Sequence, residues 1–291
     1  MVKITAQMVK ELRTATGAGP LDSKKALEAN DGDMQAAIDF LREKGMASAN
    51  KKLGKDRAMN EGVVAMYQSD DKRVGALAWV ACETDFVSSN DIFQKFAESV
   101  VNHVAHAAPA DVDELMGQTF HDGDKTLEVM LKETIAEIGE KSEVAGFARF
   151  EAPEGGSVEI YQHFNKQIAA MVAISDAGKA DTGYDVAMHV SNLKPEYLTR
   201  DEVPADVVDH EKQVQLNRAI EEGKPEHIAE KVVEGRMGKF YEEIVLMEQK
   251  FLKDDSKSIK QLLEENGIGV SQMARFAVGE NNEDDGEGED E

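Results

Sequence analysis

Apolar residues recur at helical spacing three times within the first 45 positions. Met8, Val9 and Leu12 share one face behind Thr5, a side chain suited to cap a helix N-terminus. Gly17-Ala18-Gly19-Pro20 should end that helix and turn the chain. Asp22 is the expected cap of a second helix carrying Ala26 and Leu27. Asp31-Gly32-Asp33 reads as the next turn, with Asp33 capping a third helix that carries Ala37, Ile38 and Leu41, and Gly45 is expected to stop it. The period then shortens. Residues 63–67 and 74–80 flank the polar turn Ser69-Asp70-Asp71-Lys72 and predict a hairpin. Asn90 can cap a helix with Ile92, Phe93, Phe96, Val100 and Val104 on one stripe. A further helix is expected at about residues 124–139, carrying Leu127, Met130, Leu131, Ile135 and Ile138, before a strand at 144–150.

The same order then recurs. Residues 158–161 and 168–174 read as a second hairpin, helical stretches follow, and a last strand falls near 272–278. Both closing strands contain Ala-Arg-Phe, at Ala148-Arg149-Phe150 and Ala274-Arg275-Phe276. Runs of strands and helices in this order predict an α+β fold with antiparallel sheets, built as two related ββ-αα-β subdomains. Residues 204–222 and 225–248 interrupt the second unit as two helices joined by a tight turn at Gly223, with Pro225 in the first turn of the second. Val207, Val208, Val214 and Leu216 can face Ile228, Val232, Val233 and Met237 in a coiled-coil hairpin, either projecting for association or folded back on the body. The expected organisation is a three-helix module at 1–46 and a basic linker at 47–60, whose Lys51-Lys52-Leu53-Gly54-Lys55-Asp56-Arg57 reads equally as a frayed helix. A first subdomain at 61–152 follows, then a second at 153–280 containing the hairpin insertion 204–248, and a disordered acidic tail at 281–291.

Composition narrows the function classes. Of 291 residues, 41% are hydrophobic, enough for real cores. The net charge of −24 argues against nucleic-acid binding through the general field. Residues 1–57 are mildly basic, with 11 Lys+Arg against 8 Asp+Glu, whereas 279–291 hold 8 acids and no base. No run of about 18 apolar residues is present to span a membrane. The N-terminus lacks the apolar core of a secretory signal, and a lone Cys82 rules out an internal disulfide framework. A cytoplasmic protein is expected.

Enzyme motifs are largely missing: no Gly-x-Gly-x-x-Gly after a strand, no phosphate-binding loop and no Gly-x-Ser-x-Gly. His103 and His106, three apart on a helix with His121 and Asp122 further on, could share a metal, but exposed helix histidines are the expectation. Cys82 ends an apolar strand and is expected to be buried and inert. Thr84-Asp85-Phe86-Val87 differs, because Phe86 and Val87 stand where a polar turn should join strand to helix. Two readings stay open. Phe86 projects as a protrusion that enters a partner, or it folds back onto its own core while Thr84 or Asp85 caps the helix.

The chain resembles the family of bacterial translation elongation factors Ts along nearly its whole length. The resemblance is carried by Val9-Lys10-Glu11-Leu12-Arg13, Thr16-Gly17-Ala18-Gly19, Asp22-x-Lys24-Lys25-Ala26-Leu27, Gly32-Asp33 and Leu41-Arg42-x-Lys44-Gly45. It continues in Glu83-Thr84-Asp85-Phe86-Val87, Tyr161-Gln162-His163, Ala187-Met188-His189-Val190, Lys224-Pro225, Val233-Glu234-Gly235-Arg236-Met237 and Gln249-x-Phe251. It implies a ubiquitin-associated-like N-terminal module, a core of two related subdomains, a helical-hairpin dimerisation element and a short C-terminal module. It implies guanine nucleotide exchange on elongation factor Tu, with no covalent chemistry, no cofactor or metal of its own, and no direct contact with nucleic acid or membrane. Thr84, Asp85, Phe86 and Val87 match the loop that disturbs the partner's Mg²⁺ site, with Phe86 as its wedge. Arg13, Leu21, Lys24, Ile138, Gly139 and His163 match positions that contact the GTPase. Where the family commonly has Met-Met-Asp-Cys, this chain has Pro20-Leu21-Asp22-Ser23, so an apolar side chain is kept at Leu21 only. The alternative from another class is a scaffold or holdase with the same helical module and no exchange activity, for which Asp85 and Phe86 would be dispensable. A metal hydrolase on His103, His106 and His121 is a third.

Overall fold

The computed structural model describes residues 2–54 and 58–280. The expected tail at 281–291 and Lys55-Asp56-Arg57 of the expected linker lie outside the described residues. The fold is α+β.

The first helices are α1 (Ala6–Thr16), α2 (Pro20–Ala29) and α3 (Met34–Leu53). Thr5 caps α1 by accepting from the Met8 amide, Asp33 caps α3 by accepting from the Ala36 amide, and Gly17 ends α1 at φ 68°. Leu12, Ala26, Leu27 and Ala37 form the core of this module, with Met8, Val9, Ile38 and Leu41 packed on it. Two expectations fail here. Asp22 does not cap α2: Pro20 takes the first helical position behind Gly19, and the Asp22 carboxylate bonds Lys44 at 2.8 Å instead. Nor does Gly45 stop the third helix, which runs on to Leu53 through residues assigned to the linker.

Next come β1 (Glu61–Gln68), β2 (Val74–Cys82), a one-turn helix α4 (Asp85–Ser88), α5 (Asp91–Ala107), α6 (Val112–Gly117), α7 (Leu127–Ile138) and β3 (Ser142–Glu151), with strand order β1-β2-β3. Asn90 caps α5 as expected, whose inner stripe buries Phe93, Phe96, Val100 and Val104. The second series runs β4 (Ser157–Gln162), β5 (Ile168–Ile174), α8 (Ala180–Leu193), α9 (Ala205–Glu221), α10 (Glu226–Ile244), β6 (Lys250–Phe251), β7 (Asp254–Ser258), α11 (Ile259–Asn266) and β8 (Val270–Ala277), with strand order β4-β5-β8. β4 and β5 are antiparallel, with Ser157 opposite Ile174 and Gln162 opposite Ala169. The short helix α6 and the β6–β7 pair have no counterpart in the apolar pattern. The described residues divide into two compact units, one of residues 2–54, 58–65, 78–147 and 277–280, the other of 66–77 and 148–276.

Within the first unit α3 packs on α7. A Cβ on Gly45 would lie 2.9 Å from the Ala136 Cβ, so the glycine that reads as a stop signal is where α3 can approach α7 closely. Arg42 pairs with Glu133 at 3.1 Å, Lys125 closes on the same carboxylate at 2.6 Å, and Lys52 Nζ donates to the Gly139 carbonyl at 2.5 Å.

Each unit also holds a buried histidine in the same clamp. On α5, His103 Nδ1 accepts from the His121 amide at 3.2 Å, which leaves the proton on Nε2, and Nε2 donates to Gln118 Oε1 at 2.9 Å. On α8, His189 Nδ1 accepts from the Leu252 amide at 3.1 Å and Nε2 donates to Gln249 Oε1 at 2.9 Å. In both clamps the amide lies three residues after the glutamine. Both glutamines begin Gln-x-Phe, at Gln118-Thr119-Phe120 and Gln249-Lys250-Phe251. Each glutamine carbonyl accepts from the first amide of the next helix, Leu127 at 3.2 Å and Ile259 at 3.0 Å. Thr126 and Ser258 cap those helices, Gly139 and Gly267 end them in the left-handed region, and a strand starts three residues later. What differs is the chain between histidine and glutamine: it carries α6 in the first unit and the α9–α10 hairpin in the second.

Burial holds His189 below its ordinary pKa of 6.5, against the opposite pull of its bond to Gln249. The unfolded chain therefore binds a proton as pH falls through about 6.5 while the folded chain resists it. The contribution of neutral His189 is fully present above that pH and declines as pH drops toward the depressed folded value. Urea midpoints measured between pH 7.5 and 5 should fall, and Gln249→Leu, which orphans the His189 Nε2–H and the Leu193 and Glu243 carbonyls bonded by Gln249, should cost about 2–4 kcal/mol at pH 7.5.

Candidate functional site

The turn after β2 is too short to be stable by its own hydrogen bonds, since α4 has only four residues. Its neighbours hold it. Thr84 Oγ accepts from the Val87 amide at 3.4 Å and donates to Glu140 Oε2 at 2.9 Å. The Glu83 carboxylate accepts from the Lys141 amide at 2.8 Å. Gln94 on α5 donates to the Ser88 carbonyl at 2.6 Å, and the Val87 side chain is buried. Residues on either side of Phe86 are thus fixed, while the Phe86 ring stands 84% exposed beside an exposed Asp85. Of the two readings left open, the structure combines parts of both: Thr84 does cap a helix, a very short one, and Phe86 does not fold back.

The same braces bring Ile138 and Gly139 to this turn. Gly139 ends α7 at φ 92°, a conformation open to glycine, and Glu140 and Lys141 directly after it are the residues that bond Thr84 and Glu83. Gly139 is exposed and Ile138 half-buried. On the N-terminal module Arg13, Leu21 and Lys24 are all exposed. Leu21 and Lys24 lie one turn apart on α2, with Leu21 73% exposed and Lys24 3.6 Å from Glu28.

In the second unit His163 sits at the start of the β4–β5 turn, half-buried. Its amide donates to the Ile168 carbonyl at 2.8 Å and its carbonyl accepts from the Lys166 amide at 2.8 Å. The next residue, Phe164, was missed by the sequence reading, although the signal is the one that drew attention to Phe86: a large apolar side chain in a polar turn.

A family model described as elongation factor TS matches residues 83–280, starting at the first residue of the braced turn. The chain belongs to the elongation factor Ts family. A protein named elongation factor Ts from Trichlorobacter lovleyi is 42% identical over 292 residues, covering 95% of this chain and 93% of its own. Another of that name from Halothermothrix orenii is 38% identical, with the same coverage of both chains. The protein is therefore a translation elongation factor.

For a member of the elongation factor Ts family, the other chemical candidates fall into structural roles. His103 is 2% exposed, not on the surface as expected, and both its ring nitrogens are taken by the clamp. The His106 ring stacks on His121 at 4.5 Å, and His121 is held below its ordinary pKa by partial burial and by the neighbouring histidines. Among the described residues no three His, Cys, Asp or Glu groups are placed to hold a metal ion. Cys82 is fully buried, and burial pushes its thiol up to about 12, with Glu61 and Glu140 adding to the rise, so the thiolate a nucleophile needs is suppressed. Among the described residues no helix is long and apolar enough to cross a membrane.

Thr84→Val keeps the side-chain shape and removes both hydrogen bonds of the hydroxyl. It should lower stability by about 1–2 kcal/mol in urea titration, and Glu140→Gln, which keeps an acceptor, by less.

Proposed function

We propose that this protein is a guanine nucleotide exchange factor for elongation factor Tu, acting in the cytoplasm during polypeptide elongation. It binds the GDP-loaded GTPase, inserts the Thr84-Asp85-Phe86-Val87 turn beside the Mg²⁺ site, and holds the emptied partner until GTP enters. The observation that carries this reading is the Phe86 ring, 84% exposed on a turn whose backbone is fixed on both sides. An apolar ring kept in water contributes little to folding, and a braced one can displace what it meets. Mg²⁺ holds a nucleotide by bridging its phosphate oxygens to protein ligands, so shifting those ligands weakens both. No bond need be made or broken. Linkage makes the effect mutual, since a factor that loosens GDP about 100-fold is itself loosened 100-fold by GDP, about 2.7 kcal/mol of coupling. Retaining the empty GTPase calls for contacts away from the wedge. Arg13, Leu21 and Lys24 on the module, Ile138 and Gly139 beside the turn, and His163 on the β4–β5 turn are proposed for that work.

The α9–α10 hairpin is proposed as a dimerisation element. Its two helices bury Ala219, Ala229 and Met237, yet leave Val214, Ile220 and Ile228 more than 40% exposed. Light scattering should give a mass above that of one chain, and a monomer at all concentrations would count against it.

Elongation factor Tu loaded with fluorescent GDP should release it faster when this protein is added; an unchanged rate would sink the proposal. Phe86→Ala should lower the maximal release rate by at least about tenfold and weaken complex formation far less. Equal losses in both would argue against a wedge.

A further inference from the structure

Phe164 is the most exposed large apolar side chain among the described residues, at 90%. The turn that carries it is held by its own hydrogen bonds. Lys166 adopts the left-handed region at φ 58°, closing a turn in which the Lys166 amide donates to the His163 carbonyl. The Asn165 side chain accepts from the Gln167 amide at 3.0 Å and donates to Gln167 Oε1 at 2.8 Å, so the tip is tied across its own width. The His163 ring is held by Nδ1 against Asn165 Oδ1 at 3.0 Å, and Phe164 leans on that ring with centroids 4.4 Å apart at 42°. The phenyl ring is thus positioned by a hydrogen-bonded turn and a neighbouring ring, with most of its surface left in water.

We infer that Phe164 is a further anchor for the GTPase partner, entering an apolar recess next to the surface that meets His163. This rests on the exchange-factor reading above. His163 and Phe164 are adjacent in sequence and in ring contact, so a surface that covers one covers the other. A rigid aromatic on a preorganised turn loses little freedom on binding and is the type of residue that concentrates binding energy. Unlike Phe86, it stands beside no exposed carboxylate of its own turn that could compete for a cation. Its role is therefore affinity, where that of Phe86 is displacement.

The test uses the full chain and its Phe164→Ala and Phe164→Leu variants. GDP release from elongation factor Tu is followed against exchange-factor concentration, and binding to the nucleotide-free GTPase is measured by calorimetry. Alanine should raise the half-saturating concentration and the Kd on the order of tenfold, leucine less, with the maximal release rate and the thermal midpoint of the free protein unchanged. If wild type accelerates release and the alanine curve superposes on it, the anchor is wrong while the exchange reading stands. A drop in maximal rate at unchanged half-saturation would also overturn it. If wild type binds the GTPase without accelerating release, the exchange reading fails, and the calorimetric comparison alone decides the anchor. A wild type that does not bind the GTPase overturns both. A wild-type dimer in light scattering that Phe164→Ala turns into a monomer would assign the ring to a second copy of this chain and overturn the proposal.

Discussion

The hydrogen bond from Thr84 to Glu140 is short, local and polar, and much of the first unit is arranged to support it. Its acceptor follows Gly139, whose left-handed conformation is what lets α7 end and the chain come back under the α4 turn. The Gly139 carbonyl is held by Lys52 at the end of α3, and α3 reaches that point because Gly45 lets it close on Ala136. The backing of the Phe86 turn is therefore a chain of contacts through two long helices. A four-residue helix presenting an aromatic ring to water would fray if left to itself. Joined to α7 and α3, it borrows the rigidity of their packed core.

This arrangement explains what could be read along the chain and what could not. Thr5, Asp33 and Asn90 were legible as caps because a cap is a local bond to an amide two or three residues away. The hairpins were legible because β2 and β5 are short, continuously buried apolar runs that follow polar turns, and the inner stripe of α5 because one face of that helix is buried. Asp22 was misread because α2 begins two residues earlier, at Pro20, and the partner its carboxylate takes instead, Lys44, lies 22 residues on. Gly45 was misread for the same reason: glycine ends many helices, and only the position of Ala136 shows that here it permits a crossing. Phe86 could not be assigned from periodicity, because Phe86 and Val87 are both apolar and one turns out while the other turns in. The family resemblance singled out the turn, but its exposure and bracing come from the structure. The buried state of His103 was hidden because its partners, the Gln118 side chain and the His121 amide, lie 15 and 18 residues on. The repeated Gln-x-Phe was the available clue, and a stronger sign of internal duplication than the repeated Ala-Arg-Phe.

The two clamps also locate the helical hairpin in physical terms. His103 and Gln118 are separated by 15 positions, His189 and Gln249 by 60, and the glutamine meets its histidine at 2.9 Å in both. Had the longer segment been a flexible loop, two doublings of length would cost only about 1.2 kcal/mol of closure entropy. It costs less than a free loop of that length, because α9 and α10 pack on each other and the two ends of the insertion are joined at its base. The Glu196 and Tyr197 amides donate to the Ile244 carbonyl at 2.8 and 3.0 Å, and Arg200 makes two bonds of 2.8 Å to Glu248 while lying over the Tyr241 ring. An insertion whose ends are clasped at its own base leaves the clamp little affected by its length. That is why one unit can carry a six-residue helix at this place and the other a pair of long helices, with the histidine, the glutamine and the strand that follows them unchanged.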